Sequence, residues 1–154
     1  MALGTVYGAN YTKAFISNPP QMVAQGESGS KVKCLMDSYT LPTGVIDVGD
    51  VVKLGALKLP KGAKVVDATI ACASLGTTGI LKLGYEANGV DAADDDAFIA
   101  SADAGGQAVM AKPAAGAAGI FKTLGAETQV VLGCSEISTN NNVKIDVAVF
   151  FVVD

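Results

Sequence analysis

The chain has 154 residues, half of them apolar and 17% charged, with a formal net charge of −4. It contains no His, no Trp and no Arg, which excludes an imidazole base, a His-containing metal site and a bidentate guanidinium clamp. The negative charge opposes binding to nucleic acid or to an anionic membrane surface, because cationic side chains supply most of that affinity. We therefore expect one compact domain with neither partner.

Residues 1–30 differ from the rest of the chain. They contain one Lys, one Glu, the Pro19-Pro20 pair and several aromatic side chains, and no strand or helix period persists through them. We interpret them as an extended N-terminal docking arm hinged at residues 25–30. The predicted partner-binding residues of the arm are Tyr7, Tyr11, Phe15 and Ile16. The alternative is that these side chains pack on their own domain.

Residues 31–154 show strand patterns almost throughout. The predicted strands cover residues 31–36, 50–59, 63–73, 80–85, 128–134 and 142–153. Turn sequences at 76–79 and 138–142 predict two hairpins, and a short helix capped by Asp91 is predicted over Val90–Ala97. The fold class is therefore all-β, a single antiparallel β-sandwich of the jelly-roll type with an N-terminal arm.

The last predicted strand is apolar on both faces in its second half. One face carries Val143, Ile145, Val147, Val149, Phe151 and Val153, and the other ends with Ala148, Phe150 and Val152. A sandwich buries only the inner face of each strand, so the second face requires another cover. We predict that a neighbouring copy supplies it, in an oligomer interface formed by Val147, Val149, Phe150, Phe151 and Val152.

The densest charge cluster consists of Asp91, Asp94, Asp95 and Asp96. Oxygen-rich loops of this kind bind Ca²⁺ when their ligands converge, but the spacing differs from that of the EF-hand, so a solvated acidic loop is the favoured interpretation. The three cysteines are far apart in the sequence and are expected to be small buried hydrophobes. The sequence contains no catalytic motif, and we predict a protein that is not an enzyme and needs no cofactor.

Three segments suggest a family. These are Asp47 to Gly55, Leu59 to Val65 and Leu81 to Tyr85, supported by Asp96-Ala97-Phe98 and by the terminal strand Val143 to Val153. From Asp47 to the end, the chain resembles the jelly-roll capsid decoration, or cement, proteins of tailed bacteriophages. The resemblance implies a homotrimer on the outer capsid surface that bridges major capsid subunits, in a virion protein made in the host cytoplasm. The arm is not covered by the resemblance.

Two other functions fit the same pattern. One is another structural role in the phage particle, as a head-fibre or tail component. The other is a carbohydrate-binding jelly-roll module, which would require an aromatic platform for the sugar. A major capsid subunit is not expected, because the chain is short and lacks a long helical pattern.

Overall fold

The computed structural model describes residues 5–8, 11–19, 32–41, 47–136 and 142–153. Nine strands lie within these residues, together with a single π-helical turn at Thr12–Ile16. The strands are β1 Thr5–Tyr7, β2 Lys33–Thr40, β3 Val51–Leu59, β4 Ala63–Cys72, β5 Ile80–Tyr85, β6 Asp94–Asp103, β7 Val109–Ala111, β8 Thr128–Glu136 and β9 Lys144–Val153.

The strands form two sheets that enclose one core. The five-stranded sheet has the order β1-β3-β8-β5-β6, and the four-stranded sheet has the order β2-β9-β4-β7. From β2 to β9, successive strands alternate between the sheets, except that β5 and β6 are neighbours in the same sheet. This connectivity is that of the eight-stranded jelly roll, so the predicted all-β sandwich is confirmed.

One strand pairing departs from the predicted antiparallel sandwich. β1 runs parallel to β3 at the edge of the five-stranded sheet, with Thr5 opposite Val51 and Tyr7 opposite Lys53. A tight turn forces two strands to be antiparallel, but a long connection leaves either direction open. More than forty residues separate β1 from β3, and the parallel direction is the one adopted.

The core lies between the two sheets and follows from alternation along the strands. In β4, Ala68 and Ile70 are fully buried, whereas Thr69 between them points outward and is half-buried. Ile70 lies opposite Val147 of β9, and both side chains contribute to the core. Tyr85 and Phe98 are its largest fully buried side chains, with ring centroids 5.7 Å apart. Burial of these alternating apolar residues is the main force that holds the sheets together.

The predicted helix over Val90–Ala97 is wrong, because β6 begins at Asp94 and continues to Asp103. The register between β5 and β6 shifts, so that Leu81 lies opposite Ala102 and Leu83 lies opposite Ile99. The extra residue of this bulge interrupts the alternation of buried and exposed positions. The two-residue period of the strand is therefore hidden in the sequence, and the helix was predicted because Asp91 could cap it.

Both predicted hairpins are also wrong. The turn at 76–79 connects β4 to β5, and the connection after β8 leads to β9, but in each case the two strands belong to different sheets. A turn sequence indicates where the chain reverses, not whether the reversal stays in one sheet. In a jelly roll most connections cross from one sheet to the other.

The described part of the predicted arm lies against its own domain. β1 extends the five-stranded sheet, and the π-helical turn at Thr12–Ile16 contacts β3. The predicted boundary between residues 30 and 31, like the predicted hinge at 25–30, lies outside the described residues.

Candidate interaction surfaces

The aromatic side chains of the N-terminal segment form a stacked row. The Tyr7 and Tyr11 rings are nearly parallel with centroids 5.0 Å apart, and the Phe15 ring follows at 5.0 Å from Tyr11. The exposed fractions are 39% for Tyr7 and 53% for both Phe15 and Ile16. The structure thus brings the rings of Tyr7, at the end of β1, and of Tyr11 and Phe15 into one row, with Ile16 next to Phe15 in the turn. We name the surface formed by Tyr7, Tyr11, Phe15 and Ile16 the aromatic ridge. Contact with the domain leaves much of this ridge in water.

A tight backbone contact fixes the position of the ridge. The Gly8 N–H donates to the Lys53 carbonyl at 2.6 Å, and the Gly8 carbonyl accepts from Thr12 N–H at 2.9 Å. A Cβ atom at Gly8 would collide with the buried Asp37 carboxylate and lie 3.0 Å from a methyl group of Leu54. Only glycine fits this position without displacing its neighbours.

The Asp37 carboxylate beneath Gly8 also stabilises β3. Its Oδ2 accepts from Gly55 N–H at 2.8 Å, and its Oδ1 accepts from Ser38 N–H at 2.8 Å. Gly55 has a φ of +85°, and the side chain of Leu35 packs where its Cβ would be. The bulge in β3 therefore depends on a residue without a side chain and on a buried acceptor. We name the site formed by the Val51–Lys53 edge, Asp37 and Leu54 the edge socket.

Lys53 connects the edge socket to Glu86, the residue that follows β5. Its Nζ lies 3.0 Å from Glu86 Oε1, and this hydrogen bond, with a smaller contribution from the nearby Tyr11 and Tyr7 hydroxyls, raises the pKa of Lys53. The lysine is therefore charged at every physiological pH. The ridge thus stands beside a fixed ion pair on the outer side of the five-stranded sheet.

The structure divides the predicted oligomer interface between two faces of β9. Val147, Val149 and Phe151 are buried in the core of their own domain. Their prediction as interface residues is wrong, because the four-stranded sheet turns these side chains toward the other sheet. Phe150 and Val152 point the opposite way and are only half-buried. The interface prediction now rests on these two residues.

Phe150 and Val152 belong to a larger outward-facing surface. Residues that lie directly opposite each other in a sheet share a face, and Met36 lies opposite Ala148 while Cys34 lies opposite Phe150. The exposed fraction of Met36 is 65%. We name the surface formed by Met36, Ala148, Phe150 and Val152 the outer apolar face. Exposed apolar patches of this kind commonly mark contact sites.

An exposed phenylalanine beside β4 of the same sheet was missed in the sequence. Phe121 has an exposed fraction of 67% and a φ of +63°, in the left-handed region that is unusual for a bulky side chain. Its N–H donates to the Val65 carbonyl at 2.8 Å. Together with Val66 and the 112–117 loop it lines a shallow cleft of about 340 Å³. The surrounding Ala and Gly residues carry no pattern that would have indicated it.

The outer side of the five-stranded sheet has a different character. Ion pairs cross it between Lys53 and Glu86 and between Lys82 and Asp95, the latter at 2.6 Å. Val131 lies on this side, opposite Lys53, and is nevertheless buried. Ion pairs occur on the four-stranded sheet as well, between Lys112 and Asp67 and between Lys144 and Asp146. The two sides differ in the middle of each sheet, which carries ion pairs in the five-stranded sheet and the outer apolar face in the four-stranded sheet.

The four clustered aspartates do not converge. Asp91 binds Lys122 at 3.2 Å and accepts from Gly125 N–H at 2.8 Å, while Asp95 pairs with Lys82. Burial raises the pKa of Asp94, and its hydrogen bond with Asp96 adds to the rise. Within the described ranges, no group of three Cys, Asp or Glu side chains is arranged to hold a metal ion. The acidic residues act in separate local contacts.

The three cysteines form no disulfide bonds, and only two of them match their prediction. Cys72 and Cys134 are buried as expected, and burial raises the pKa of Cys134 to about 11. Cys34 is exposed on the four-stranded sheet, so its predicted burial is wrong. Burial of part of its side chain raises the pKa of this thiol as well. Thiols with a raised pKa are poor nucleophiles at neutral pH.

The fold is similar to that of chains in three phage capsid structures. A chain in the capsid of Ralstonia phage GP4 has a TM-score of 0.69 and 17% identity, and the match covers 98% of this chain and 99% of that one. A chain in the capsid asymmetric unit of cyanophage Pam1 has a TM-score of 0.63 and 20% identity, with coverage of 90% and 96%. A chain in the acidic stable capsid structure of Helicobacter pylori bacteriophage KHP30 has a TM-score of 0.54 and 18% identity, with coverage of 86% and 94%.

At these identities the likeness establishes a shared fold. The sequence itself matches no protein-family model and no curated protein. Within the described part of the chain, no helix is long and apolar enough to cross a membrane.

Proposed function

We propose that this chain is a non-enzymatic structural protein of a phage virion that binds the outer surface of the capsid. The observation that carries the proposal is the extent of the fold likeness, which spans nearly all of this chain and nearly all of a chain in the Ralstonia phage GP4 capsid. We assign this chain to the decoration, or cement, proteins, which are added to the assembled shell, because the sequence resembles them from Asp47 to Asp154.

The two outer sides of the sandwich support an orientation on the capsid. The outer apolar face exposes apolar side chains on the four-stranded sheet, whereas the middle of the five-stranded sheet carries the Lys53–Glu86 and Lys82–Asp95 ion pairs. Covering apolar surface stabilises a complex, and an ion-paired surface tolerates water. We propose that the four-stranded sheet faces other subunits and that the middle of the five-stranded sheet faces the solvent, with the aromatic ridge at its edge.

The proposed assembly is a homotrimer that bridges neighbouring major capsid subunits. Phe150 and Val152 on the outer apolar face are the proposed contacts between copies, and the aromatic ridge is a second binding element. A protein that binds the intact shell and not the broken one shifts the equilibrium toward the intact shell. Several modest contacts are sufficient, because sites that are linked in one trimer bind with a high effective concentration.

The proposal is tested on phage heads from which the protein has been removed. Adding the purified protein back is expected to raise the temperature at which the heads release DNA, because binding stabilises the closed shell. An unchanged release temperature, with no protein sedimenting with the heads, would overturn the proposal. The native mass from light scattering at micromolar concentration tests the trimer separately.

A further inference from the structure

The N-terminal segment, residues 5–19, binds the sandwich through contacts that any copy of the chain would offer. β1 pairs with three residues of β3, and the following turn contacts the same strand. The acceptor of the Gly8 N–H is the Lys53 carbonyl, also on β3. All these groups belong to the edge socket, which every copy carries.

The fit of Gly8 makes the edge socket specific for this segment. A Cβ atom would collide with the Asp37 carboxylate, so the socket accepts a glycine followed by a turn that returns the chain over β3. An unoccupied socket leaves the Lys53 carbonyl without the Gly8 N–H and leaves Val52 without β1 beside it. A sheet edge of this kind is a template for a strand from another chain.

Binding within one chain leaves the segment incompletely covered. Phe15 and Ile16 remain more than half exposed, although the socket holds Tyr7 and Gly8 next to them. Apolar side chains at the end of a specifically bound segment gain stability when a second surface covers them. A neighbouring copy beside the socket would supply that surface.

The chain between the segment and the domain is long enough to reach a neighbour. Twelve residues separate Pro19 from Val32, and at about 3.3 Å per residue they span up to about 40 Å. A domain of this size has a radius of gyration of about 14 Å. The segment therefore has access to its own socket and to the socket of an adjacent copy.

We infer that the N-terminal segment is exchanged between copies, so that the segment of one copy occupies the edge socket of the next. The inference rests on the proposed oligomer. In a closed ring each copy donates one segment and receives one, so every socket is filled. The contacts within the socket are the same as in a single chain, and exchange adds cover for Phe15 and Ile16. The neighbour's segment competes with the chain's own segment for the edge socket, because the oligomer holds it there at a high effective concentration.

The test uses disulfide bonds across the parallel pair formed by Thr5 and Val51, which lie opposite each other. All variants carry Cys34→Ser, which removes the exposed thiol. T5C and V51C are made separately, co-expressed, purified and oxidised. Exchange predicts a covalent dimer on a non-reducing gel, because the two cysteines are then in different chains. Binding within one chain predicts no covalent dimer in this mixture.

The double variant T5C/V51C gives the complementary result. Exchange predicts chains linked to one another, and binding within one chain predicts an internally bridged monomer. A matched control uses Ile80 and Asp103, which lie opposite each other on β5 and β6 within the domain. I80C and D103C are expected to form no covalent dimer when co-expressed and to bridge internally in the double variant. A covalent dimer in this control would reveal random oxidation. The fraction of dimer formed by T5C and V51C must then exceed the fraction formed by the control pair.

Light scattering on the Cys34→Ser background separates the proposed trimer from the proposed exchange of the N-terminal segment. A trimer whose T5C/V51C variant bridges only internally overturns exchange and leaves the oligomer intact. A monomer overturns exchange as well, and binding to depleted heads then decides the proposed function independently.

A second variant tests exchange without disulfide chemistry. Gly8→Ala introduces the Cβ that collides with Asp37, and exchange predicts a weakening of self-association by about tenfold or more. The matched control is Gly133→Ala, where the nearest atom to the added Cβ is Cε of the flexible Lys82 side chain at 3.3 Å and the next atoms lie at 3.6 Å. It is expected to leave self-association unchanged. Equal self-association of the Gly8→Ala variant and the parent protein would overturn the exchange.

Discussion

At the scale of single residues, Asp91 shows how a cluster that suggested a metal site works as a structural contact. Its carboxylate accepts from Asn88 and from Gly125 N–H and pairs with Lys122, whose ammonium donates to the Tyr85 hydroxyl. These contacts connect the loop after β5 to the loop before β8. They lower the pKa of Asp91 from 3.8 to about 2, with the Asn88 hydrogen bond as the largest cause.

Asp91→Asn is therefore expected to lower the free energy of unfolding at pH 7 by about 1 to 3 kcal/mol, because it removes charge-assisted hydrogen bonds. A carboxylate with a lowered pKa stabilises the fold above its unfolded pKa and loses that contribution as the pH falls through its folded pKa. The difference between wild type and variant should be constant above about pH 4 and shrink between about pH 4 and pH 2. Urea unfolding of both proteins at a series of pH values measures this difference in the free energy of unfolding.

Asp95→Asn is the matched control for this prediction. Asp95 pairs with Lys82 at the surface with about half of its side chain exposed, and such pairs contribute at most about 1 kcal/mol. An Asp91→Asn variant with the same pH dependence as wild type would show that Asp91 does not hold the loops together.

Gln129 is a buried polar residue whose role depends on an irregularity in the backbone pairing of β3 and β8. The register between β3 and β8 shifts between Leu54 and Leu59, and the Gln129 amide donates to the Leu54 carbonyl. Its own Oε1 is buried and has no partner among the described residues. Gln129→Ala is expected to lower the free energy of unfolding by about 1 to 3 kcal/mol, because it leaves the Leu54 carbonyl unsatisfied. Gln107→Ala, at an exposed position, should have almost no effect in the same denaturation experiment.

At the scale of the elements, regular strands were predictable and irregular connections were not. The first half of β9 and the middle of β4 alternate between apolar and polar positions, so the existence and the inner faces of both strands followed from the sequence. β6 was missed because its bulge disrupts the alternation. The two hairpins were wrong because a turn has the same local chemistry whether it joins strands of one sheet or of two. Which sheet a strand joins, and where a bulge forms, depend on residues that are distant in the sequence.

β9 offers a direct test of its two faces, because Phe150 and Phe151 are adjacent and point in opposite directions. Phe151→Ala removes a core side chain and should lower the free energy of unfolding by about 3 to 5 kcal/mol. Phe150→Ala should change the stability of the isolated fold far less and should weaken self-association, because the outer apolar face is the proposed contact between copies. Chemical denaturation and light scattering on both variants measure these effects. The assignment fails if Phe150→Ala unfolds the protein as readily as Phe151→Ala does.

At the scale of the whole molecule, the sequence indicated that a surface needed a cover but not which residues formed it. The second apolar face of the last strand predicted an exposed patch, and Phe150 and Val152 are found there. Phe121 and Met36 could not be assigned, because their exposure depends on how the loops and the edge strand are placed by the fold. The asymmetry between an apolar side and an ion-paired side emerges only when both sheets are assembled.

That asymmetry predicts which side of the molecule tolerates modification. With Cys34→Ser as background, a bulky maleimide polymer attached at Met36→Cys would cover the outer apolar face, and the same polymer at Asp95→Cys would cover the ion-paired middle of the five-stranded sheet, away from the aromatic ridge. Binding to depleted phage heads should be lost in the first conjugate, because the polymer blocks the contacts of the outer apolar face with other subunits. The second conjugate should retain binding, since the loss of the surface Lys82–Asp95 pair changes stability by at most about 1 kcal/mol. Co-sedimentation with heads measures both, and each unmodified cysteine variant serves as its own control. If the Asp95→Cys conjugate fails to bind while the Met36→Cys conjugate binds, the molecule sits on the capsid in the opposite orientation, with the five-stranded sheet toward the shell.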